Sequence, residues 1–443
     1  MIREERDTKW YPLDNAARLF PSIASPAFPT VFRLSATLHR PVSLSVARRV
    51  AVDLARRFPH FRVVLRRGVF WYYLEERGGP FPVEADLDPP CSREPTVRRH
   101  PELLRILVRG HRIAVEVSHI LTDGGGVKEF FRTLLFEYLV EREGLDRQEL
   151  LPEARELGIL SWDVDPVDGI DEGEQQYAFR DYYSPRLPKP VRTSSAWHVP
   201  GVRLPHHRYH VTTLLYELSR IKEAARNHGA GVTEYLIAAF LFALQEYQGS
   251  LPNENGRRNF RPLRILVPVD LRPVEHSRTL RNFFVFVLTE VDVRLGRYEF
   301  TEIIKKIRHQ MGSEIDPRNL RRFVTRNVRP ERNALIRIIP VVLKDTILRF
   351  VHRNQGERIN TASFSNLMAV RFPDAVQSSI EHVDFVPPAS PVTGINATLV
   401  SSGTTVSLTF GSRLRTHEVE RRVVETLRGE GISGRLITNW GWE

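Results

Sequence analysis

The chain has 443 residues, of which 42% are hydrophobic and 26% are charged. This length exceeds one ordinary core and predicts two domains, while the composition is typical of a water-soluble globular protein. The N-terminal segment carries charges of both signs, which predicts no secretory signal, and no apolar run approaches 18 residues, so no membrane span is expected. The single cysteine, Cys91, excludes an internal disulfide, and we expect a cytoplasmic monomer.

The net charge is +11, because the chain contains 64 Lys and Arg residues but only 53 Asp and Glu residues. This sign favours anionic partners: nucleic acid, a phosphate-bearing cofactor, an acidic carrier protein or a membrane surface. A genome whose base composition favours arginine codons would produce the same excess. No recognised nucleic-acid-binding motif is present, so we expect no nucleic-acid partner.

The first part of the chain, residues 1–160, alternates strand and helix patterns. Apolar residues at helical spacing, with Ser43 as a candidate cap and Pro59 at the end, predict a helix at 43–58. The other predicted elements are strands at 29–39, 61–67, 69–75 and 103–118 (the last hinged at Gly110) and a helix at 127–142.

Residues 161–205 are acidic and then rich in proline, which predicts a crossover linker. Residues 206–443 are predicted to form a second half, with a long helical stretch at 317–352 broken at Pro330 and Pro340. The remaining elements are strands at 209–216, 263–270, 283–293, 362–371, 380–386, 392–400 and 404–411, and helices at 217–227, 232–247, 299–312 and 416–428. Together the patterns predict a mixed α/β (α+β) fold of two halves.

The strongest chemical signal lies where strand 103–118 ends, in the segment from Ser118 to Gly124. His119 has the intrinsic pKa of a general base near neutrality, and the three glycines at 124–126 let the backbone take positions that a Cβ would forbid and let a substrate approach. His119 and Asp123 could be metal ligands, parts of a structural loop, or a base with its neighbour. No third ligand or zinc-type motif accompanies them, so no metal is expected.

The segment VEVSHILTDGGGVKEFF resembles the HxxxDG motif of the chloramphenicol-acetyltransferase-like superfamily, which includes plant-type acyltransferases, condensation domains and bacterial alcohol-acetyltransferase-like proteins. Two later segments, ILVPVDLRPVEHSRTLRNFF and ASFSNLMAVRFP, and Gly431-Ile432 also resemble that superfamily, so the similarity extends over nearly the whole chain. The chain departs from it at Met368, where the alcohol-acetyltransferase-like branch has glycine. Trp440-Gly441-Trp442 only echoes a plant-type motif, and we interpret it as a surface tail.

The resemblance implies two chloramphenicol-acetyltransferase-like halves, each a mixed sheet with helices, and an active-site tunnel between them. His119 would be the general base that transfers an acyl group from a CoA or phosphopantetheine thioester to an alcohol or amine. Neither a covalent intermediate nor a permanently bound cofactor is needed. Asp123 would pair with Arg272 instead of contacting the substrate, and Gly124 would keep the donor channel open.

The remaining candidate residues carry two interpretations each. Asn366, beside Ser365, could donate to the oxyanion or form a hydrogen bond between strands, and Asn282 has the same ambiguity. The arginine-rich stretch 318–332 could bind donor phosphates or an acidic carrier protein, or form a solvated helix face; its candidates are Arg321, Arg322 and Arg326. Segment 334–351 could lie on a membrane surface or form a tunnel wall. For the whole chain, the alternatives are a stand-alone condensation-type enzyme and a non-catalytic binding protein.

Overall fold

The computed structural model describes residues 9–25, 28–97, 101–161, 172–184, 187, 194–205, 208–252, 260–352 and 357–439. Its strands are β1 (Trp10–Pro12), β2 (Val31–Leu38), β3 (Val63–Arg67), β4 (Tyr72–Glu76), β5 (Val83–Ala85), β6 (Leu104–Arg109), β7 (Arg112–Ser118), β8 (His210–Glu217), β9 (Leu263–Asp270), β10 (Phe284–Val291), β11 (Ala362–Ala369), β12 (Ile380–Val386), β13 (Ile395–Ser402), β14 (Thr405–Ser412) and β15 (Arg435–Thr438). Its helices are α1 (Phe20–Ile23), α2 (Leu44–Arg57), α3 (Gly124–Glu143), α4 (Arg147–Glu156), α5 (Glu172–Gln175), α6 (Leu218–Asn227), α7 (Val232–Ser250), α8 (Arg272–Glu275), α9 (Phe300–Glu314), α10 (Pro317–Val328), α11 (Ala334–Arg337), α12 (Val341–Val351), α13 (Asp374–Gln377) and α14 (Glu418–Gly429).

The first half is built on a five-stranded sheet with the order β12-β2-β7-β6-β5, in which only the β5–β6 pair is parallel. Helices α2 and α3 pack together and contribute apolar side chains to one core with the sheet. The edge strand β12 comes from far along the chain and pairs with β2 over Ile380–Val386. The sheet of the first half therefore contains a strand from residues beyond the predicted linker.

The second half is built on a seven-stranded sheet with the order β10-β9-β11-β13-β14-β8-β15. Strand β11 runs parallel to both of its neighbours, and the other pairs are antiparallel. Helix α7 is apolar almost all round, and it is buried between α9 and α14 in a second core. A small sheet, β1-β4-β3, lies beside these two. The prediction of a mixed α/β fold with two sheet-and-helix halves is confirmed.

The long stretch 317–352 is broken as predicted. Helix α10 ends at Val328, a short turn contains Pro330, and Pro340 is the N-cap of α12. Several short elements were not predicted; they are β5, β15, α1, α4, α5, α8 and α13. The interpretation of Trp440-Gly441-Trp442 as a surface tail lies outside the described residues.

The predicted linker makes one strong contact with the first half. The buried carboxylate of Glu174 in α5 accepts hydrogen bonds from both terminal nitrogens of Arg57, at 3.0 and 2.7 Å. Much of the surrounding segment lies outside the described residues, so the boundaries at 160 and 206 stay predictions. Within the described ranges, no helix is both long and apolar enough to cross a membrane.

Candidate active site

His119 lies directly after β7, whose apolar face is fully buried. Its backbone N–H donates to the Thr30 carbonyl at 3.0 Å, and its own carbonyl accepts from Nδ2 of Asn282 at 3.0 Å. Thr30 precedes β2 in the first half, and Asn282 precedes β10 in the second half. The backbone of His119 is therefore held from both halves of the protein.

Three aromatic rings surround the imidazole. The ring of Phe20 stacks on it at 5.2 Å between centroids, Phe32 lies at 4.4 Å and Phe284 at 6.3 Å. Nδ1 of His119 is buried without a hydrogen-bond partner among the described residues. The residue is nonetheless only partly buried and lines a cavity, so Nε2 is the nitrogen that faces the cavity.

The environment of the imidazole lowers the pKa of His119 to about 4. The main cause is burial, which disfavours the charged imidazolium. The Asp123 carboxylate, the Thr122 backbone and the Asn282 side chain raise the pKa, but they offset only part of this effect. At neutral pH His119 is therefore unprotonated, which is the state that a general base requires.

We expect kcat/KM for thioester turnover to stay level from neutrality down to roughly pH 5 and to fall near pH 4, because only unprotonated His119 accepts a proton. A histidine in water would lose activity near pH 6.5. The measurement is a pH profile of thiol release at low substrate concentration. A fall centred near pH 6.5 would contradict the assigned environment.

Asp123 lies under the loop and does not point at the His119 ring nitrogens. One carboxylate oxygen caps α3 by accepting from the Gly126 N–H at 3.0 Å, and it also accepts from Arg272 at 2.8 Å. The other oxygen accepts from the Phe283 N–H at 2.7 Å. Asp123 thus joins the start of α3 to the first residue of α8 and to the segment before β10, across the two halves. The cap also explains why α3 begins at Gly124 and not at Val127 as predicted.

The glycines after Asp123 occupy positions that leave little or no room for a Cβ, and they do not have an unusual backbone conformation. None of the three has a positive φ. A Cβ on Gly126 would lie 2.1 Å from the Leu280 carbonyl oxygen, and one on Gly125 would lie 2.5 Å from the Arg272 guanidinium. At Gly124 a Cβ would meet only the Leu367 side chain, at 3.0 Å. Of the three glycines, Gly125 and Gly126 are therefore the ones against which the second half packs without room for a Cβ.

Asn282 connects His119 to a buried carboxylate that the sequence did not single out. Its Nδ2 donates both to the His119 carbonyl and to Asp14, each at 3.0 Å. Asp14 is 1% exposed, and burial raises its pKa. Asn282 does not line the cavity, and so its amide supports the backbone of the site. The only sequence signal for Asp14 was its place in the early WYPLDN segment.

The cavity has a volume of about 1250 Å³ and lies between the halves. Phe20, Thr30 and His119 line it from the first half, and Phe284 and Ser365 line it from the second. The Ser365 hydroxyl makes no hydrogen bond with any described residue. Asn366 also lines the cavity, but its Nδ2 donates to Thr233 at 2.6 Å and its Oδ1 accepts from the Met368 N–H at 2.7 Å. The Asn366 amide thus connects β11 to α7.

Met368 occupies a position that favours glycine. The β11–β13 register shifts between Asn366 and Ala369, and Met368 has a φ of 65° at this bulge. Its side chain is 64% exposed and borders the cavity. The departure from the glycine of the resembling proteins therefore places a side chain in a left-handed backbone conformation.

We expect Met368→Gly to raise the free energy of unfolding by about 1 kcal/mol, because glycine adopts the left-handed conformation without steric cost. Urea unfolding is the measurement. Met368→Ala is the matched control, because it removes the side chain but keeps the Cβ and should gain little. An equal gain in both variants would show that the exposed side chain, and not the backbone, is unfavourable.

The three arginine candidates separate into two groups. Arg321 pairs with Glu275 at 2.9 Å and does not line the cavity. Arg322 and Arg326 both line it, and neither pairs with a carboxylate among the described residues. Nε of Arg322 is buried without a partner. Two cations of the cavity wall are therefore available to an anion. In the described part of the chain, no three His, Cys, Asp or Glu side chains are grouped so as to hold a metal ion.

Comparison with known proteins identifies the fold. No protein-family model and no curated protein sequence matches the chain. Among solved structures, polyketide synthase associated protein 5 from Mycobacterium tuberculosis is 12% identical with a TM-score of 0.56, covering 94% of this chain and 96% of that one. TRI101 from F. graminearum, solved with coenzyme A and deoxynivalenol, is 10% identical with a TM-score of 0.59, covering 96% and 99%.

Two further solved structures, of proteins of other kinds, have the same fold. The wax ester synthase/diacylglycerol acyltransferase from Marinobacter aquaeolei is 14% identical with a TM-score of 0.52, covering 95% of this chain and 100% of that one. The first condensation domain of the CDA synthetase is 13% identical with a TM-score of 0.53, covering 94% of each chain. The chain therefore has the chloramphenicol-acetyltransferase-like fold over nearly its whole length. At sequence identities this low, the similarity establishes the fold alone.

Proposed function

We propose that this chain is an acyltransferase that moves an acyl group from a CoA or carrier-protein thioester to an alcohol or amine. The observation that carries the proposal is the unprotonated His119, whose Nε2 faces a cavity between the two halves. One base in such a cavity is sufficient for direct transfer between two bound substrates. The fold supports this class of reaction, since its structural neighbours include acyltransferases and condensation domains.

The proposed reaction has two steps. Nε2 of His119 takes the proton from the acceptor hydroxyl or amine as the nucleophile attacks the thioester carbonyl, which becomes a tetrahedral oxyanion. The oxyanion then collapses, the carbon–sulfur bond breaks, and the proton on His119 passes to the leaving thiolate. The products are an ester or amide and a free thiol, and the enzyme returns to its starting state.

The oxyanion needs a hydrogen-bond donor, for which Ser365 is the best candidate. Its hydroxyl lines the cavity and is not engaged by another described residue. Asn366 is less suited, because its amide already bonds Thr233 and Met368. Asn282 is committed to His119 and Asp14. Of the three, Ser365 alone lines the cavity with a side chain that hydrogen-bonds to no described residue.

Arg322 and Arg326 are proposed to bind the phosphates of the donor. We expect Arg322→Ala and Arg326→Ala each to raise KM for acyl-CoA by about tenfold with little change in kcat, the usual cost of losing a charge-assisted hydrogen bond. Arg321→Ala is the matched control on the same helix, because Arg321 pairs with Glu275 outside the cavity. An equal rise of KM in all three variants would indicate a general effect of surface charge.

The test of the proposed function is a panel of acyl-CoAs of increasing chain length with alcohols and amines, read by release of free thiol. Acceptor-dependent release supports acyl transfer. The condensation-type alternative, which the similarity to a condensation domain favours, predicts release only from thioesters on carrier proteins. If neither donor class reacts but one binds, the chain is a binding protein on this fold.

A further inference from the structure

Helix α12 is amphipathic, but it buries charged side chains and exposes apolar ones. Its buried residues include Lys344 and Asp345, which are 5% and 8% exposed. Leu343 and Phe350, on the other side, are 58% and 69% exposed. A surface helix of a globular protein normally buries its apolar side chains and exposes its charges, so this orientation requires a reason.

Specific bonds fix α12 in this orientation. Lys344 donates to the backbone carbonyls of Phe70 and Arg337, at 3.0 and 3.1 Å, and lies 3.6 Å above the ring of Trp71. Asp345 accepts from the hydroxyls of Ser22 and Tyr72, at 2.7 and 2.9 Å. Turning the helix over would break all these interactions and leave polar groups unsatisfied. The outward direction of the apolar side chains is therefore built into the fold.

The exposed apolar side chains of α12 belong to a larger surface. The N–H of Val341 donates to the Val69 carbonyl at 2.9 Å, which brings the turn between β3 and β4 beside the helix. Helix α11 adds exposed side chains before α12 begins. We call this surface the apolar face; its exposed residues are Val69, Phe70, Leu335, Ile338, Val342, Leu343, Ile347, Phe350 and Val351. Such a concentration of exposed hydrophobic side chains indicates a binding surface.

The charges around the apolar face have one sign. Between residues 332 and 352, Arg332, Arg337 and Arg349 are exposed, and the only carboxylate in this segment is the inward-facing Asp345. Exposed arginines next to apolar side chains are complementary to the surface of an anionic lipid bilayer, in which hydrocarbon lies beneath negatively charged headgroups. A second copy of the same face would instead bring like charges together.

We propose that the apolar face docks on the surface of an anionic lipid bilayer, with α11 and α12 lying in the plane of the headgroups. Ile336 of α11, Leu348 of α12 and Ile339 between the two helices line the cavity that contains His119. An apolar chain could thus pass from the bilayer into the cavity beneath these helices. This last step rests on the proposed acyl transfer and assigns a membrane-dissolved alcohol or acyl donor as the substrate class.

The test is co-sedimentation of the full chain with vesicles of phosphatidylcholine alone or mixed with phosphatidylglycerol. We expect the chain to pellet with the anionic vesicles and to bind the neutral ones less tightly. Leu343→Ser/Phe350→Ser should weaken binding by at least tenfold, and Arg337→Glu/Arg349→Glu should do so only for the anionic vesicles. Leu87→Ser/Leu295→Ser, which removes two even more exposed leucine side chains elsewhere, is the control and should bind as the original chain does.

Two results would overturn the docking proposal. One is absence of vesicle binding, or equal binding by all the variants. The other is a dimer in solution that becomes monomeric in Leu343→Ser/Phe350→Ser, which would mean that a second copy covers the apolar face. His119→Ala should still bind vesicles, so failure of the proposed chemistry is distinguishable from failure of docking.

Discussion

Replacing His119 with alanine is expected to lower kcat for thiol release by about 10²–10⁴-fold, the usual contribution of a positioned general base. Asp123 is not placed to take over, because its carboxylate is committed to the α3 cap, to Phe283 and to Arg272. The measurement is acceptor-dependent release of thiol from acyl-CoA. KM for the donor should change little, because the base contributes to the transition state more than to binding.

The variant should remain folded, which makes the loss of turnover interpretable. Nδ1 of His119 has no hydrogen-bond partner among the described residues, so its removal leaves no polar group newly unsatisfied. His228→Ala is a suitable control, because that histidine pairs with Glu430 away from the cavity. Full turnover by a folded His119→Ala variant would contradict the proposed mechanism.

Asp123→Ala is expected to lower the free energy of unfolding by about 3 kcal/mol, within the range for breaking a buried ion pair from one side. The substitution removes a helix cap, an acceptor for Phe283 and the partner of Arg272. The side chains of the pair are only 6% and 14% exposed, so water replaces the lost contacts poorly. Urea unfolding measures the effect, and turnover should fall with the folded fraction.

A double variant separates the structural effect of Asp123 from a chemical one. Asp123→Ala/Arg272→Met should be less destabilised than the sum of the single variants, because the second change removes the charge that the first leaves without its partner. Asp270, which also pairs with Arg272, limits the size of this recovery. If Asp123→Ala kept its stability but lost turnover, Asp123 would act in the chemistry.

The sequence could predict the elements around the site because local patterns determine them. Strand β7 alternates and ends directly before His119, and the helix after it was predicted, although three residues late because Asp123 was not recognised as its cap. The rings around the imidazole could not be predicted, since Phe20, Phe32 and Phe284 come from three separate elements. The pair of Arg57 and Glu174 joins residues 117 positions apart, a distance at which charge patterns contain no pairing information.

The sequence could not predict which face of α12 is buried, for a related reason. Its pattern shows two faces but not which face turns inward, and the usual rule gives the wrong answer. What decides is the set of partners for Lys344 and Asp345, which come from α1, α11, β4 and the β3–β4 turn. The two alternatives for segment 334–351, a tunnel wall and a membrane-surface helix, are also not exclusive, because Ile336 lines the cavity while Leu335 is 73% exposed.

Strand β12 has a consequence for the order in which the protein folds. During synthesis, β2 emerges early, but its neighbour at the sheet edge, Ile380–Val386, emerges only after most of the chain. Until then β2 has an open edge able to pair with other chains, and the first core lacks the side chains of Ile380, Val383 and Phe385. The half that contains His119 therefore completes its folding only after Val386 has emerged from the ribosome, when β8 to β11 of the second half have already been made.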